Sequence, residues 1–115
     1  MSQDLYQSPD YFLMDELLTE EHKLIRDTAR EWVKREVSPI IEEACQKSEF
    51  PKKIVTGLGG VGGFGAYIPT EYGGAGLDAT ACAIIHEELS ASDPGFALAY
   101  LAHAMLFVNN IAFNG

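Results

Sequence analysis

The glycines of the stretch GLGGVGG, which ends at Gly63, are the first residues whose spacing suggests chemistry. Gly57, Gly59 and Gly62 fit the pattern G-x-G-x-x-G, which in dinucleotide-binding proteins wraps a pyrophosphate. That use requires a buried strand before the turn and a helix after it. Here only two apolar residues follow two lysines before the motif, and a proline comes soon after it. The sequence therefore favours a short, closely packed helix that ends at Gly62 and Gly63.

Two neighbouring carboxylates and three histidines are the other candidates for acid–base chemistry. We interpret Glu87 and Glu88 as surface or helix-pairing carboxylates, because no substrate-binding or cofactor-binding pattern accompanies them. His22, His86 and His103 are too far apart in the sequence to form a ligand pair. Because His103 stands in an apolar run, we interpret it as a core histidine. No catalytic residue is predicted within this chain.

The two cysteines indicate the redox environment. Cys45 and Cys82 form no C-x-x-C pair, and we find no histidine at metal-ligand spacing from them, so no metal site is expected. Two unlinked thiols are typical of a reducing compartment. The first twenty residues hold five acids and no base, which argues against a signal or transit peptide. We therefore expect a cytoplasmic protein.

The charge balance argues against one large class of function. The 115 residues carry a formal net charge of −9, and no block of Lys or Arg stands out. A field of that sign repels phosphate backbones, so no nucleic-acid partner is expected. Residues 94–115 hold no charged side chain, yet the apolar run FALAYLAHAMLFV is shorter than the roughly 20 residues of a membrane span. We expect a core helix there and no membrane span.

Apolar spacing predicts an all-α chain of about five packed helices behind an N-terminal arm. The predicted segments are an arm over 1–17, helices over 19–36 and 39–48, the short glycine-rich helix, and helices over 79–91 and 95–108. Thr19, Ser38 and Asp93 are the predicted N-caps, and the last two are followed by a proline at the first helical position.

Three segments carry a resemblance to a known family. They are LLTEEHKLIRDTAREWVKREVSPIIEEA, GFGAYIPTEYGGAGLD and IIHEELSASDPGFALAYLAHAMLF, in that order. Over residues 18–115 their order and spacing resemble the N-terminal helical domain of the acyl-CoA dehydrogenases. The pattern P-x-E-Y-G-G-A-G-L, which begins at Pro69, is the most specific part. The arm and the first helices are most similar to the glutaryl-CoA dehydrogenase branch.

The resemblance implies a cofactor, a reaction and partners. Family members are FAD flavoproteins that remove a proton next to the thioester of an acyl-CoA and pass a hydride from the following carbon to the flavin. Electrons then leave to an electron-transfer flavoprotein, and a homo-oligomer is expected. In the family a β-domain and a four-helix domain follow the N-terminal domain and supply the base and most flavin contacts. A chain that ends at Gly115 therefore resembles a fragment truncated before the β-domain, and we expect it to be inactive alone.

The resemblance also assigns four residues to substrate binding. Ser90, Ala97, Leu98 and Leu101 match positions that in the family lie against the acyl chain. A glutaryl-specific enzyme would have an arginine at the position of Ala97, where it would pair with the distal carboxylate. Because specificity is set by residues that touch the substrate, Ala97 favours an uncharged acyl chain, although the arm resembles the glutaryl branch.

Two other functions remain open. A non-enzymatic helical interaction module, with residues 96–108 as its partner-binding helix, is favoured by the short chain and its uncharged last helix. A nicotinamide-nucleotide binder would depend on the glycines from Gly57 to Gly62 alone. Because the last helix would expose a large apolar surface without neighbouring domains, we also expect the isolated chain to self-associate.

Overall fold

The computed structural model describes residues 11–60 and 63–115, and these residues form helices and turns without a β-strand. The helices are α1 (Glu20–Trp32), α2 (Ser38–Gln46), α3 (Lys52–Gly60), α4 (Ala79–Ser92), α5 (Pro94–Tyr100) and α6 (Asn109–Asn114), with π-helical segments at Val33–Val37 and Leu101–Val108. Short 3-10 turns cover Met14–Leu17, Gly63–Gly65 and Thr70–Tyr72. The all-α prediction is confirmed. The predicted arm up to residue 10, and residues 61–62 at the end of the predicted glycine-rich helix, lie outside the described residues.

The start of α1 is capped as the sequence predicts. Thr19 Oγ1 accepts a hydrogen bond from the backbone N–H of His22 at 3.1 Å, and His22 Nδ1 accepts one from the backbone N–H of Thr19 at 3.3 Å. This reciprocal pair satisfies two amide groups that have no partner inside the helix. At the other end of α1, Trp32 is 5% exposed and enters the core.

The predicted helix break at Ser38 and Pro39 is wrong. Val37 and Ser38 both have right-handed helical backbone, and no side chain in the described ranges caps the start of α2. Ser38 Oγ lies 3.1 Å from Ser92 Oγ instead. We attribute the continuity to the π-helical segment Val33–Val37, because a locally wider turn accommodates a proline, which has no N–H to donate and crowds the preceding turn. Helical backbone therefore runs unbroken from Glu20 to Gln46.

Helices α1 and α4 lie side by side and run in the same direction. Near their starts, His22 Nε2 is 2.9 Å from an Asp78 carboxylate oxygen. Further along both helices, Arg30 contacts Glu88. Because residue numbers rise together along the two helices, the pairing is parallel.

The connection from α3 to α4 is a compact loop. The carbonyl oxygens of Gly65, Ala66 and Ile68 accept hydrogen bonds from Ala75, Leu77 and Gly76 at 3.0, 2.8 and 2.9 Å. Gly73 has φ 84° and Gly76 has φ 67°, a left-handed backbone that glycine adopts without a steric penalty. The folded loop places Asp78 at the start of α4, where its Oδ1 accepts the N–H of Ala81 at 2.8 Å.

The last helix is longer than predicted. Asp93 caps α5 as expected, since its Oδ2 accepts the N–H of Phe96 at 2.8 Å. Helical backbone then continues from Pro94 to Asn114, beyond the predicted end near residue 108, and by length and composition alone this helix could cross a membrane. Its buried residues are Phe96, Ala97, Tyr100 and Ala104, and no residue after Ala104 is buried. The exposed large apolar residues are Leu98, Leu106, Phe107, Ile111 and Phe113.

One hydrophobic core joins four of the helices. Its largest fully buried side chains are Tyr100, Phe96, Ile54, Leu89 and Val37. Trp32 packs against Phe96 with ring centroids 6.3 Å apart. Residues from the first helical stretch, α3, α4 and α5 therefore share the same interior.

Candidate functional site

An open apolar cleft of about 610 Å³ lies between α1, α3, the loop and α4. Its buried lining residues are Trp32, Leu58, Gly63, Ala66, Ile85 and Leu89. The volume is in the range of small-molecule sites. None of the four predicted acyl-binding residues is among the residues that line it, so the cleft and the predicted substrate wall are separate features.

The four predicted substrate residues lie on two consecutive helices. Ser90 is half-buried on α4. Ala97 is 2% exposed and belongs to the core, whereas Leu98 is 62% exposed. Leu101 is half-buried and lies one helical turn from both Ala97 and Leu98. We call Ser90, Ala97, Leu98 and Leu101 the acyl wall; its exposed part is the side of the helix that carries Leu98.

Glu88 has a structural partner. Its two carboxylate oxygens accept hydrogen bonds from Arg30 Nε and Nη2 at 3.0 and 2.9 Å. The Glu88 side chain is 11% exposed and that of Arg30 is 47% exposed. Hydrogen bonding to Glu88 raises the pKa of Arg30, against the opposing effect of burial. The helix-pairing interpretation is confirmed for Glu88, while Glu87 lies on the surface.

His22 joins the starts of two helices. Because its Nδ1 accepts from Thr19, its Nε2 carries the proton of the neutral ring and donates to Asp78, whose oxygens lie at 3.0 and 2.9 Å. The hydrogen bond from the Ala81 N–H lowers the pKa of Asp78, and the one from His22 lowers it further. Both ring nitrogens of His22 are occupied by helix-capping contacts, which assigns the residue a structural role.

The interpretation of His103 as a core residue is wrong. His103 is exposed, and its ring lies 4.6 Å from that of Phe64 and 6.3 Å from that of Phe107, measured between centroids. It lies at the edge of the buried side of the last helix, since Tyr100 and Ala104 on either side of it are buried, whereas Phe107, one turn further along, is exposed. An apolar run alone does not reveal which side of a helix is covered.

The glycine-rich motif lies in a helix. Gly57 and Gly59 belong to α3, and among the described residues no strand precedes them. A Cβ on Gly57 would lie 3.3 Å from Trp32 Cζ2, so the predicted close helix approach is confirmed at this position. Gly62 lies outside the described residues. The helix conformation of α3 lacks the strand-to-helix turn that binds a pyrophosphate.

The lining of the cleft also does not fit the pyrophosphate of a flavin dinucleotide. Arg35 is the single basic residue among those that line the cleft, where Asp27 and Glu31 are acidic. A dinucleotide pyrophosphate needs backbone N–H groups or cations around it. The cleft therefore does not provide a binding site for FAD.

The sequence did not indicate that two polar atoms, His86 Nδ1 and Tyr100 Oη, would be buried next to each other. His86 Nδ1 and Tyr100 Oη are both buried and have no hydrogen-bond partner among the described residues, and the centroids of the two rings are 5.9 Å apart. Tyr100 is 1% exposed. Burial raises the pKa of Tyr100, and the neighbouring Cys82 raises it further. Only the i, i+4 spacing of Cys82 and His86 hinted at this cluster, because Tyr100 joins it through tertiary packing.

The known proteins that this chain resembles are longer than the chain itself. Residues 19–115 match the family "Acyl-CoA dehydrogenase, N-terminal domain". A 3-(aryl)acrylate reductase from Clostridium sporogenes is 45% identical over 84 residues, which are 73% of this chain and 22% of the reductase. The mitochondrial isovaleryl-CoA dehydrogenase of Bos taurus is 33% identical over 100 residues, covering 85% of this chain and 24% of that enzyme. The chain thus spans about a quarter of the length of these relatives.

A solved structure shows the same arrangement of helices. It is described as the electron transferring flavoprotein of Acidaminococcus fermentans, in work on flavin-based electron bifurcation. The matched chain superposes with a TM-score of 0.73 at 31% sequence identity, and the match covers 84% of this chain and 24% of the other.

Proposed function

The chain belongs to the acyl-CoA dehydrogenase family, whose N-terminal domain it matches over residues 19–115, and from this premise we propose that it is the N-terminal part of a flavin-dependent acyl-CoA dehydrogenase. In the full-length parent, the acyl wall lies against the hydrocarbon part of an acyl-CoA thioester during α,β-dehydrogenation. The chain alone is inactive, because the catalytic base and the flavin site belong to polypeptide outside it.

The proposed role of the acyl wall is supported by the exposure of Leu98. Leu98 exposes 62% of its surface on a helix without any charged side chain. An exposed leucine beside the half-buried Leu101 offers apolar surface to a hydrocarbon chain. Covering such a leucine contributes roughly 1.5–3 kcal/mol to binding, which is enough to affect substrate affinity.

The ion pair of Glu88 with Arg30 supports the proposal that the catalytic base lies outside this chain. Both of its oxygens accept hydrogen bonds from Arg30 and its side chain is 11% exposed, so the carboxylate is held in an ion pair between two helices. The cleft is also unsuited to a flavin pyrophosphate. We therefore assign FAD and the base to the rest of the parent, and we propose an electron-transfer flavoprotein as the acceptor.

The acyl group is proposed to be uncharged. Ala97 has no side-chain charge and is almost fully buried, so nothing at that position can pair with a distal carboxylate. The 45% identity to a 3-(aryl)acrylate reductase favours a second candidate, in which the parent reduces an aryl-substituted acrylate instead. The parent is further proposed to be cytoplasmic and homo-oligomeric.

A non-enzymatic interaction module is the alternative of a different class. The exposed apolar side of the last helix favours it, since such a surface can also bind a partner helix. The two functions differ in one measurable respect, because a dehydrogenase parent binds flavin and consumes acyl-CoA, whereas an interaction module does neither.

The test uses the purified full-length parent. Its visible absorption reports a bound flavin, and reduction of an electron acceptor is followed with straight-chain, branched, aryl and glutaryl thioesters. The proposed function predicts activity with at least one uncharged acyl-CoA and little with glutaryl-CoA. A colourless parent that turns over none of these thioesters, in either direction, contradicts it.

The wall itself is tested by two leucine variants on the same helix. Leu98→Ala should lower kcat/KM for the preferred acyl-CoA roughly tenfold or more, because a lost apolar contact to substrate is worth about 1–3 kcal/mol. Leu106→Ala is the matched control, since Leu106 is also 62% exposed but lies two turns further along. Equal losses in the two variants would remove the assignment of Leu98 to the acyl wall.

A further inference from the structure

The helix that carries Leu98 and Leu101 has no charged anchor of its own. Residues 94–115 hold no charged side chain, so no salt bridge from these side chains fixes the orientation of the helix. From Leu101 to Val108 the backbone is π-helical, a conformation that is rare and mostly limited to single turns. The position of this part of the acyl wall therefore depends on the side chains that pack against the helix.

Phe64 packs against this helix from the loop. It belongs to the turn Gly63–Gly65, and the centroid of its ring lies 4.6 Å from that of His103 and 6.0 Å from that of Tyr100. Tyr100 and His103 are three residues apart and therefore neighbours on the helix surface, and Leu101 stands between them in the chain. One aromatic ring thus contacts the helix at the level of the acyl wall.

Phe64 is supported from behind by α3. A Cβ added to Gly59 would lie 3.7 Å from Phe64 Cδ2, so the ring lies next to the backbone of α3. The side chain is half-buried and packs against the core. The phenyl ring therefore lies between α3 and the last helix, where a smaller side chain would let the two helices approach each other.

The accuracy that a substrate surface needs makes this contact relevant to function. A binding surface has to be held within about 0.5 Å of its productive position, and a misplacement of about 1 Å can lower a rate by about 100-fold. Aromatic pairs whose centroids are about 4.5–7 Å apart are attractive beyond the area that they bury. Both contacts of Phe64 with the last helix lie in this range.

We propose that Phe64 is a positioning residue for the acyl wall. Through Tyr100 and His103 it holds the last helix in the place from which Leu98 and Leu101 meet the acyl chain. Tyr100 is two residues from Leu98 and therefore lies on another side of the helix, so Phe64 acts through the helix and does not touch the substrate. This inference rests on the proposed function, because the acyl wall is the surface proposed there to contact the acyl-CoA.

The first test compares acyl selectivity in variants of the full-length parent. Phe64→Leu removes the ring but keeps an apolar side chain, and the wall can then recede from the substrate. The ratio of kcat/KM for a long over a short uncharged acyl-CoA should rise about threefold to tenfold. A general folding defect lowers the amount of active enzyme equally for every substrate, so it leaves this ratio unchanged. Phe64→Tyr keeps the ring and should retain the ratio of the unmodified parent.

Tyr67→Leu is the matched control. Tyr67 comes from the same loop and packs on the same helix, but its partner is Phe113, at 5.4 Å between ring centroids and well beyond the acyl wall. This variant should leave the selectivity ratio unchanged. His103→Ala removes the nearer of the two contacts of Phe64 from an exposed position. It should shift the ratio in the same direction as Phe64→Leu, so it decides if Phe64→Leu does not fold.

The second test, amide hydrogen exchange in the parent, needs no turnover. Residues 98–104 should exchange a few-fold faster in Phe64→Leu and in His103→Ala, because the helix has lost a ring contact. In Tyr67→Leu, faster exchange should be confined to the part of the helix near Phe113.

Three results would each overturn the proposal. They are an active parent whose acyl selectivity is the same with and without the Phe64 ring, a selectivity change of equal size in Tyr67→Leu, and unchanged exchange of residues 98–104 in both Phe64→Leu and His103→Ala. A parent that turns over no thioester contradicts the proposed function instead, and hydrogen exchange then still decides whether Phe64 holds this helix.

Discussion

Arg30 and Glu88 form a two-point salt bridge between α1 and α4, with N···O distances of 3.0 and 2.9 Å. The paired side chains differ in exposure, because Glu88 is nearly covered while almost half of Arg30 faces solvent. The carboxylate therefore depends on the guanidinium for most of its solvation.

Arg30→Gln should lower the free energy of unfolding by about 1–2 kcal/mol, because it leaves the Glu88 carboxylate without its charged partner. The loss is smaller than for a fully buried pair, since Arg30 is partly in water. Chemical denaturation measures it. Arg35→Gln is the control: Arg35 pairs with Glu36 at 3.0 Å and both are exposed, so the change should stay within about 0.5 kcal/mol. Equal effects of the two substitutions would contradict this view of the bridge.

The ionised carboxylate of Asp78 should make the stability of the fold depend on pH at low pH. Its pKa in the folded chain lies below the ordinary value of 3.8, so its contribution to stability is present above that pH and is lost as the pH falls through the folded value. Asp78→Asn should therefore be less stable than the unmodified chain at pH 7. Below pH 3.8 the two should converge. Thermal unfolding over this range checks the sign, and a gap that stays constant with pH would rule out the carboxylate charge as the cause.

Two glycines of α3 should respond differently when each is replaced by alanine. Gly60→Ala should be neutral or stabilise the fold by up to about 1 kcal/mol, because no atom of the part of the chain that the structure describes lies within 4 Å of its added Cβ. Gly57→Ala adds a Cβ at 3.3 Å from Trp32, so crowding should cancel most of that gain. Trp32 is the only tryptophan, and its fluorescence should change in Gly57→Ala and not in Gly60→Ala. The opposite fluorescence pattern would refute the close approach.

Self-association of the isolated chain is expected from the last helix. Its exposed apolar residues include Leu106 and Phe107, and an uncovered patch of this kind favours association. Phe107→Lys should shift the chain towards monomer in sedimentation velocity. Leu17→Lys serves as the control, because Leu17 is 74% exposed but lies before α1. A monomeric unmodified chain at high concentration would contradict this prediction.

Local chemistry explains which parts of the fold were predictable. Thr19 and Asp93 cap helices because their oxygens reach backbone N–H groups within the same turn, and such contacts are visible in the sequence. The continuity of the helix through Ser38 was not predictable in this way. Serine often caps a helix, but Ser38 does not cap α2. The π-helical segment before Pro39 keeps the backbone helical, and the Ser38 hydroxyl contacts Ser92 of α4 instead.

The candidate sites depend on contacts between distant residues. The four residues of the acyl wall came from a resemblance, and their joint role stays a prediction. Residue types alone indicated neither that Tyr100 meets His86 nor that His103 faces outward. Both facts follow from how α5 folds back against α4, and sequence spacing within one helix carries no information on that packing.

The parallel arrangement of α1 and α4 has an electrostatic consequence at their shared end. Each helix carries partial positive charge at its start, so two like poles lie next to each other. Asp78 caps only α4, but its carboxylate also reaches His22 in the first turn of α1. The Asp78 carboxylate thus lies at both positive poles, in addition to Glu20 and Glu21 in the first turn of α1, and fraying of one helix at this end should loosen the other.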